Sequence, residues 1–181
     1  MAVVYNLGMD QGADWDLNVV YKQPASITNV SGDGTTVTYT AANSFSAGQI
    51  VSIDQVIPYI YNLQDVVIAS ATATEFTITN GATGIYVSGG LATAPVDITG
   101  YTAKMQMRSY PNSTTAVLTL TTENGGITIT GPTGNIALHA TATETGAINQ
   151  GPYDYDVEIY QGSNVTRVVQ GQIEVSAQVT R

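Results

Sequence analysis

Val96-Asp97-Ile98-Thr99-Gly100-Tyr101-Thr102-Ala103-Lys104-Met105-Gln106-Met107-Arg108, read with Gly151-Pro152-Tyr153-Asp154-Tyr155-Asp156-Val157-Glu158-Ile159 downstream, decides the fold of this chain. Each segment is a turn followed by strict two-residue alternation. Tyr101, Ala103, Met105 and Met107 share one face, with Thr102, Lys104, Gln106 and Arg108 on the other. Tyr153, Tyr155, Val157 and Ile159 point inward, while Asp154, Asp156 and Glu158 point out. Successive side chains of a strand leave on opposite faces, so this period predicts strands with one dry and one wet face.

The pattern repeats on either side. Trp15, Leu17, Val19 and Tyr21 share a face opposite Asp16, Asn18 and Val20, and a last Val- and Ile-rich strand is expected over residues 166–179. Turn residues separate the runs at Asn124-Gly125-Gly126, Gly131-Pro132-Thr133-Gly134 and Gly162-Ser163-Asn164. One short helix is expected. Thr141 and Glu144 have capping-box spacing, and Asn149-Gln150-Gly151-Pro152 ends the segment after a turn or two.

On these residues the chain resembles small virion proteins of tailed bacteriophages. There, strands of the form VD(L/I)TGYTAxMQ(V/M)R and GxYxYDxEI sit in an immunoglobulin-like sandwich of the kind found at the N-terminus of upper baseplate proteins. The resemblance covers the second half of the chain. It implies an all-β fold, a structural role on a phage particle, and acidic strand residues that are structural.

Residues 24–93 change character. Ser26-Ile27-Thr28-Asn29-Val30 leads through Ser31-Gly32-Asp33-Gly34 into Thr35-Thr36-Val37-Thr38-Tyr39-Thr40, a hairpin on an Asp-Gly turn. Further strands are expected over residues 50–55, 65–71 and 75–79, closing at Gly89-Gly90. The run ITNVSGDGTTVTYTAANSFSAGQ, residues 27–49, resembles a small β module of phage tail and fibre proteins. Removing residues 24–93 would bring residues 14–21 directly before residues 96–108, as a natural first hairpin. The expected architecture is therefore an all-β, immunoglobulin-like antiparallel sandwich, residues 1–23 plus 94–181, interrupted by a second small β domain, residues 24–93. Two tandem domains are the alternative.

Composition narrows the function. Of 181 residues, 43% are hydrophobic and 10% charged, against about 25% charged in an ordinary globular chain. Few charges mean little desolvation cost when a surface is buried against a neighbour. The net charge is −9, and the five basic residues, Lys22, Lys104, Arg108, Arg167 and Arg181, are scattered. Phosphate backbones and anionic membranes are bound by clustered Lys and Arg, so no nucleic-acid or membrane partner is expected. With no cysteine, disulfides, zinc thiolates and thiol nucleophiles are excluded, which fits assembly in a bacterial cytoplasm. No secretory signal is read in residues 1–16, and no apolar run approaches the roughly 18 to 20 residues of a membrane-spanning helix.

Chemistry-bearing patterns are sparse. His139 is the only histidine, and no Gly-x-Ser-x-Gly elbow surrounds a serine. Asp154, Asp156 and Glu158 form a row that could serve carboxylate chemistry or calcium, but the solvated face of a strand gives the same pattern and is the favoured reading. Asp10, Asp14 and Asp16 around Trp15 match no calcium-loop spacing and read as a mobile acidic segment or contact arm. Ser31-Gly32-Asp33-Gly34 lacks the lysine and helix of a phosphate loop. Pro58-Tyr59-Ile60-Tyr61-Asn62 places two tyrosines on a loop or strand end. Tyr combines apolar area with a polar tip, so the pair suits a protein or sugar contact as well as the core of a small domain.

No catalytic, cofactor-binding or metal-binding residue is expected; the candidate contact residues are Tyr59, Tyr61, Tyr86 and Trp15. The expected function is a non-enzymatic virion component in the tail, baseplate or fibre-attachment region. It would contact other virion proteins and copies of itself. A neck or head-decorating protein, or a carbohydrate- or receptor-binding module acting through residues 24–93, are the alternatives.

Overall fold

A computed structural model describes residues 2–179. The fold is all-β, in two compact units: residues 2–21 with 97–179, and Lys22–Val96.

In the first unit, one sheet contains β1 (Val3–Val4), β2 (Leu7–Asp10), β10 (Thr102–Arg108), β11 (Leu118–Thr121), β14 (Gly151–Gln161) and β15 (Asn164–Ser176). Its order is β1-β15-β14-β10-β11, with β2 also on β15. The other sheet is β12 (Ile127–Thr130), β13 (Asn135–Ala140) and β3 (Trp15–Val20). The alternation read from the sequence is the alternation of burial. Ala103, Met105 and Met107 on β10 and Tyr155, Val157 and Ile159 on β14 enter the core, where Ile136 and Leu138 of β13 are also buried.

Turns and caps follow the local chemistry. Before β10, Asp97 Oδ1 accepts from the Thr99 amide at 2.8 Å and its hydroxyl at 2.6 Å, and Gly100 takes the positive φ of +80° that the turn requires. The helix α1 (Ala142–Gly146) carries the expected capping box between Thr141 and Glu144. The fully buried Thr145 hydroxyl accepts from Gly12 N at 3.1 Å and donates to Ala13 O at 2.8 Å, tying α1 to the turn between β2 and β3.

Two expectations are corrected. Residues 14–21 and 96–108 do not form a hairpin: β3 pairs with β13, whereas β10 pairs with β11 and β14. Period two names the buried face of a strand, not its partner. The N-terminal acidic segment is also no free arm. β1 and β2 add to β15 in parallel, Met9 is buried, and Asp10 Oδ1 accepts from the Ser176 hydroxyl at 2.6 Å.

The second unit is a closed barrel in the order β4 (Lys22–Gly32), β5 (Thr36–Ala41), β8 (Glu75–Thr79), β7 (Leu63–Ala71), β6 (Ile50–Ile57) and β9 (Ser88–Pro95). The long β4 closes it. Residues 22–26 pair with β9, residues 27–32 pair with β5, and the register shifts between Ile27 and Asn29. Closure leaves no open sheet edge. Asp33 Oδ1 caps the β4–β5 turn from the amides of Thr35 and Thr36, which hold its carboxyl below the usual range. Inside, Tyr39 stacks on Phe76 at 5.0 Å and Phe45 meets Phe76 edge-on at 5.4 Å. No helix among the described residues is long and apolar enough to cross a membrane.

Gly171 of β15 lies against the carbonyl oxygen of Tyr5, which also accepts from the Tyr155 hydroxyl at 2.8 Å. A Cβ there collides with that backbone oxygen, so Gly171→Ala is expected to displace residues 3–6. The expected loss is about 1–3 kcal/mol in urea unfolding of the full chain, with earlier protease cleavage near the N-terminus. An unchanged midpoint and cleavage pattern would show that this strand is not held as described.

Candidate functional site

The clearest surface feature of the barrel is built from its least polar loop. Pro58 leads a single 3-10 turn, Tyr59–Tyr61, that joins β6 to β7. Asn62 locks the turn, its Oδ1 accepting from Val56 N at 2.8 Å and its Nδ2 donating to Val56 O at 3.2 Å. Tyr61 points into the barrel and is fully buried. Its carbonyl accepts from the Tyr39 hydroxyl at 2.9 Å, and its own hydroxyl donates to Gly84 O at 2.8 Å. With Tyr61 fixed inward, Tyr59 is turned outward and is 80% exposed.

Residues 84–88 run beside this turn. Val87 N donates to Ile57 O at 2.9 Å, and a side chain at Gly84 would crowd the Ile60 Cδ1. Together Ile57, Tyr59, Ile60, Ile85 and Val87 form an exposed apolar tip, with Ile85 at 87%. Residues 55–64 and 80–91 contain no charge at all. The tip lies at the Ser88 end of β9, whereas Lys22 and Pro95, where the chain enters and leaves the unit, pair at the other end. Burying one Ile or Val side chain is worth roughly 1.5–3 kcal/mol, and contiguous exposed apolar patches mark contact sites.

Of the residues expected to make contacts, the structure brings only Tyr59 fully to the surface. Tyr61 is corrected to a core residue, because its ring is buried in the barrel and its hydroxyl and carbonyl are both used there. Trp15 is likewise corrected: it is buried in the first unit, and its indole N–H donates to Gly8 O at 2.9 Å. Tyr86 is partly buried against the barrel core, its hydroxyl donating to Gly89 O at 2.9 Å. Ile85 and Val87 went unread, although their chain neighbours are glycine, serine and tyrosine with no charge nearby.

In the first unit the carboxylate row is paired. Arg167 Nε stands 3.0 Å from Asp156 Oδ2 and its Nη2 3.4 Å from Glu158 Oε1, while Gln172 Nε2 donates to Asp154 Oδ1 at 3.2 Å. Burial pushes the Asp156 carboxyl up, with Arg167 pulling against it. Burial also raises the Tyr155 and Tyr160 phenols to about 12, so both remain neutral hydrogen-bond donors. Among the described residues, no three of His, Cys, Asp and Glu gather as a metal-binding group.

His139 sits half-exposed on β13, its Nδ1 2.9 Å from Asp16 Oδ1 of β3. That hydrogen bond raises its pKa above the ordinary value, and the charges of Asp16, Asp14 and Glu144 add to the effect. A raised folded pKa gives stability that is complete below the unfolded value, near 6.5, and is lost as pH rises through the folded one. His139→Gln is therefore expected to flatten the decline in urea midpoint as pH increases above about 6.5. Parallel pH profiles for the two proteins would remove His139 from the account.

Compared with known proteins, the chain matches no family model and no curated protein.

Proposed function

We propose that this chain is a non-enzymatic structural protein of a tailed-phage particle, placed in the tail, baseplate or fibre-attachment region and assembling through protein–protein contacts. The observation that carries the reading is the uncharged apolar tip around Tyr59, at the end of the barrel opposite the points where the chain enters and leaves it. A closed barrel offers no strand edge, so it makes contacts through side chains. Tyr and Ile are suited to anchor such a contact, flanked by polar residues that exclude water. The phage assignment itself rests on the strand motifs around Tyr101 and Tyr153 and on residues 27–49. In a particle, repeated copies multiply weak contacts, so a tip of this modest size is sufficient.

A neck or head-decorating position would use the same two units. The carbohydrate reading through the barrel loses half of its aromatic pair, since Tyr61 is inside.

Immunogold labelling of purified particles of the phage carrying this chain tests the proposal. Gold at the tail end supports it, gold over the collar or head favours the alternative position, and absence from denatured particles sinks the virion reading. The double variant Tyr59→Ser, Ile85→Ser is expected to keep its unfolding free energy in urea within about 0.5 kcal/mol per site and to enter particles at a tenth of the normal level or less. Normal incorporation would show that the tip is not the contact.

A further inference from the structure

The outer face of the six-stranded sheet carries a second surface with different chemistry. The register sets three transverse rows side by side across β10, β14 and β15: Arg108–Asp154–Gln172, Gln106–Asp156–Gln170 and Lys104–Glu158–Arg167. Pro111 and the N-terminal residues Val4 and Asn6 also line the trough, which has a volume of about 680 Å³. This lies within the roughly 300–1,000 Å³ of small-ligand sites.

The rows hold one another in place. Arg108 Nη2 donates to Gln106 Oε1 at 2.8 Å, and Arg167 Nη1 to Gln170 Oε1 at 3.2 Å. With the Asp156, Glu158 and Asp154 bonds above, the trough is a cross-linked network whose side chains are already oriented. Each of these bonds leaves a polar group over. The Nε2 amides of Gln106 and Gln170, the second oxygens of Asp154 and Asp156, and Asn6 Nδ2 have no protein partner among the described residues. Across the middle row the free Asp156 oxygen therefore lies between the free amides of Gln106 and Gln170.

The chemistry of the lining selects the ligand. An anion meets three carboxylates, a cation meets two guanidinium groups, and an apolar peptide anchor finds Val4, Pro111 and Tyr155 set among eight charged or amide side chains and Asn6. What matches is a neutral molecule dense in groups that both donate and accept, because each hydroxyl can donate to a carboxylate and accept from an amide or guanidinium. We propose that this trough is a binding site for a neutral carbohydrate segment. The site lies wholly in the first unit and does not depend on the apolar tip.

The test uses the full chain on an array of neutral hexose and N-acetylhexosamine oligosaccharides, with a heparin fragment and polylysine as charged probes. Hits are followed by titration and by NMR of the side-chain amides. At least one neutral glycan is expected to bind and to shift the Gln106 and Gln170 amide signals. Its affinity should hold as salt is raised, since no net charge is neutralised. Gln106→Ala and Asp154→Ala should each weaken it about tenfold, and Tyr59→Ser should leave it unchanged. Should Asp154→Ala fail to fold, Gln106→Ala and the amide shifts still decide. Retention of the charged probes alone, of no glycan, or of glycans equally by the wild type and the Gln106→Ala variant would overturn the proposal.

Discussion

The buried hydrogen bond from the Tyr39 hydroxyl to the Tyr61 carbonyl is the constraint on which the barrel's surface depends. A phenol taken out of water needs a partner, and here the partner is the backbone of the turn that must present Tyr59. The Tyr61 hydroxyl then reaches the carbonyl of Gly84, which lies beside the exposed Ile85. One pair of core tyrosines thus fixes both halves of the apolar tip. The tip is held from beneath, with its own side chains left free to meet something else.

The two units solve the problem of strand edges differently. The barrel abolishes them by letting β4 and β7 each belong to both of its halves, with register shifts in the β4–β5, β6–β7 and β7–β8 pairings. The sandwich keeps its sheets open and covers β15 with short N-terminal strands. In a chain with so few charges, edges cannot be guarded mainly by lysine, and backbone pairing carries more of that task. The same scarcity makes the trough on the six-stranded sheet stand out, because two of the chain's three arginines meet three carboxylates there.

The fold class was legible because burial really does alternate at Ala103, Met105 and Met107, and turn chemistry at Asp33-Gly34 and Asp97–Gly100 is local. Partners were not legible. Trp15, Leu17 and Val19 suit either sheet, and pairing with β13 is settled by contacts more than a hundred residues away in sequence. β1 and β2 are too short to show a period, so Met9 could not be recognised as core. Tyr59 and Tyr61 looked equivalent because residues i and i+2 share a face in a strand, whereas in the 3-10 turn they occupy they point about 120° apart. The trough was invisible for a different reason: its polar residues come from residues 4–6, 106–111, 154–158 and 167–172, and only register brings them together.

The parallel docking of β1 and β2 on β15 joins the first strands described to the last. The barrel, by contrast, is one uninterrupted run, Lys22–Val96. During synthesis its six strands emerge from the ribosome before β10 to β15 do, and its strand pairing requires nothing that comes later. The sandwich must wait for its last strand. Until then Leu7 and Met9 have no sheet to join, so the nascent chain carries a finished barrel between two unfinished edges. The sandwich is thus the slower unit to mature, and the one exposed to wrong pairing with neighbouring copies on a crowded polysome.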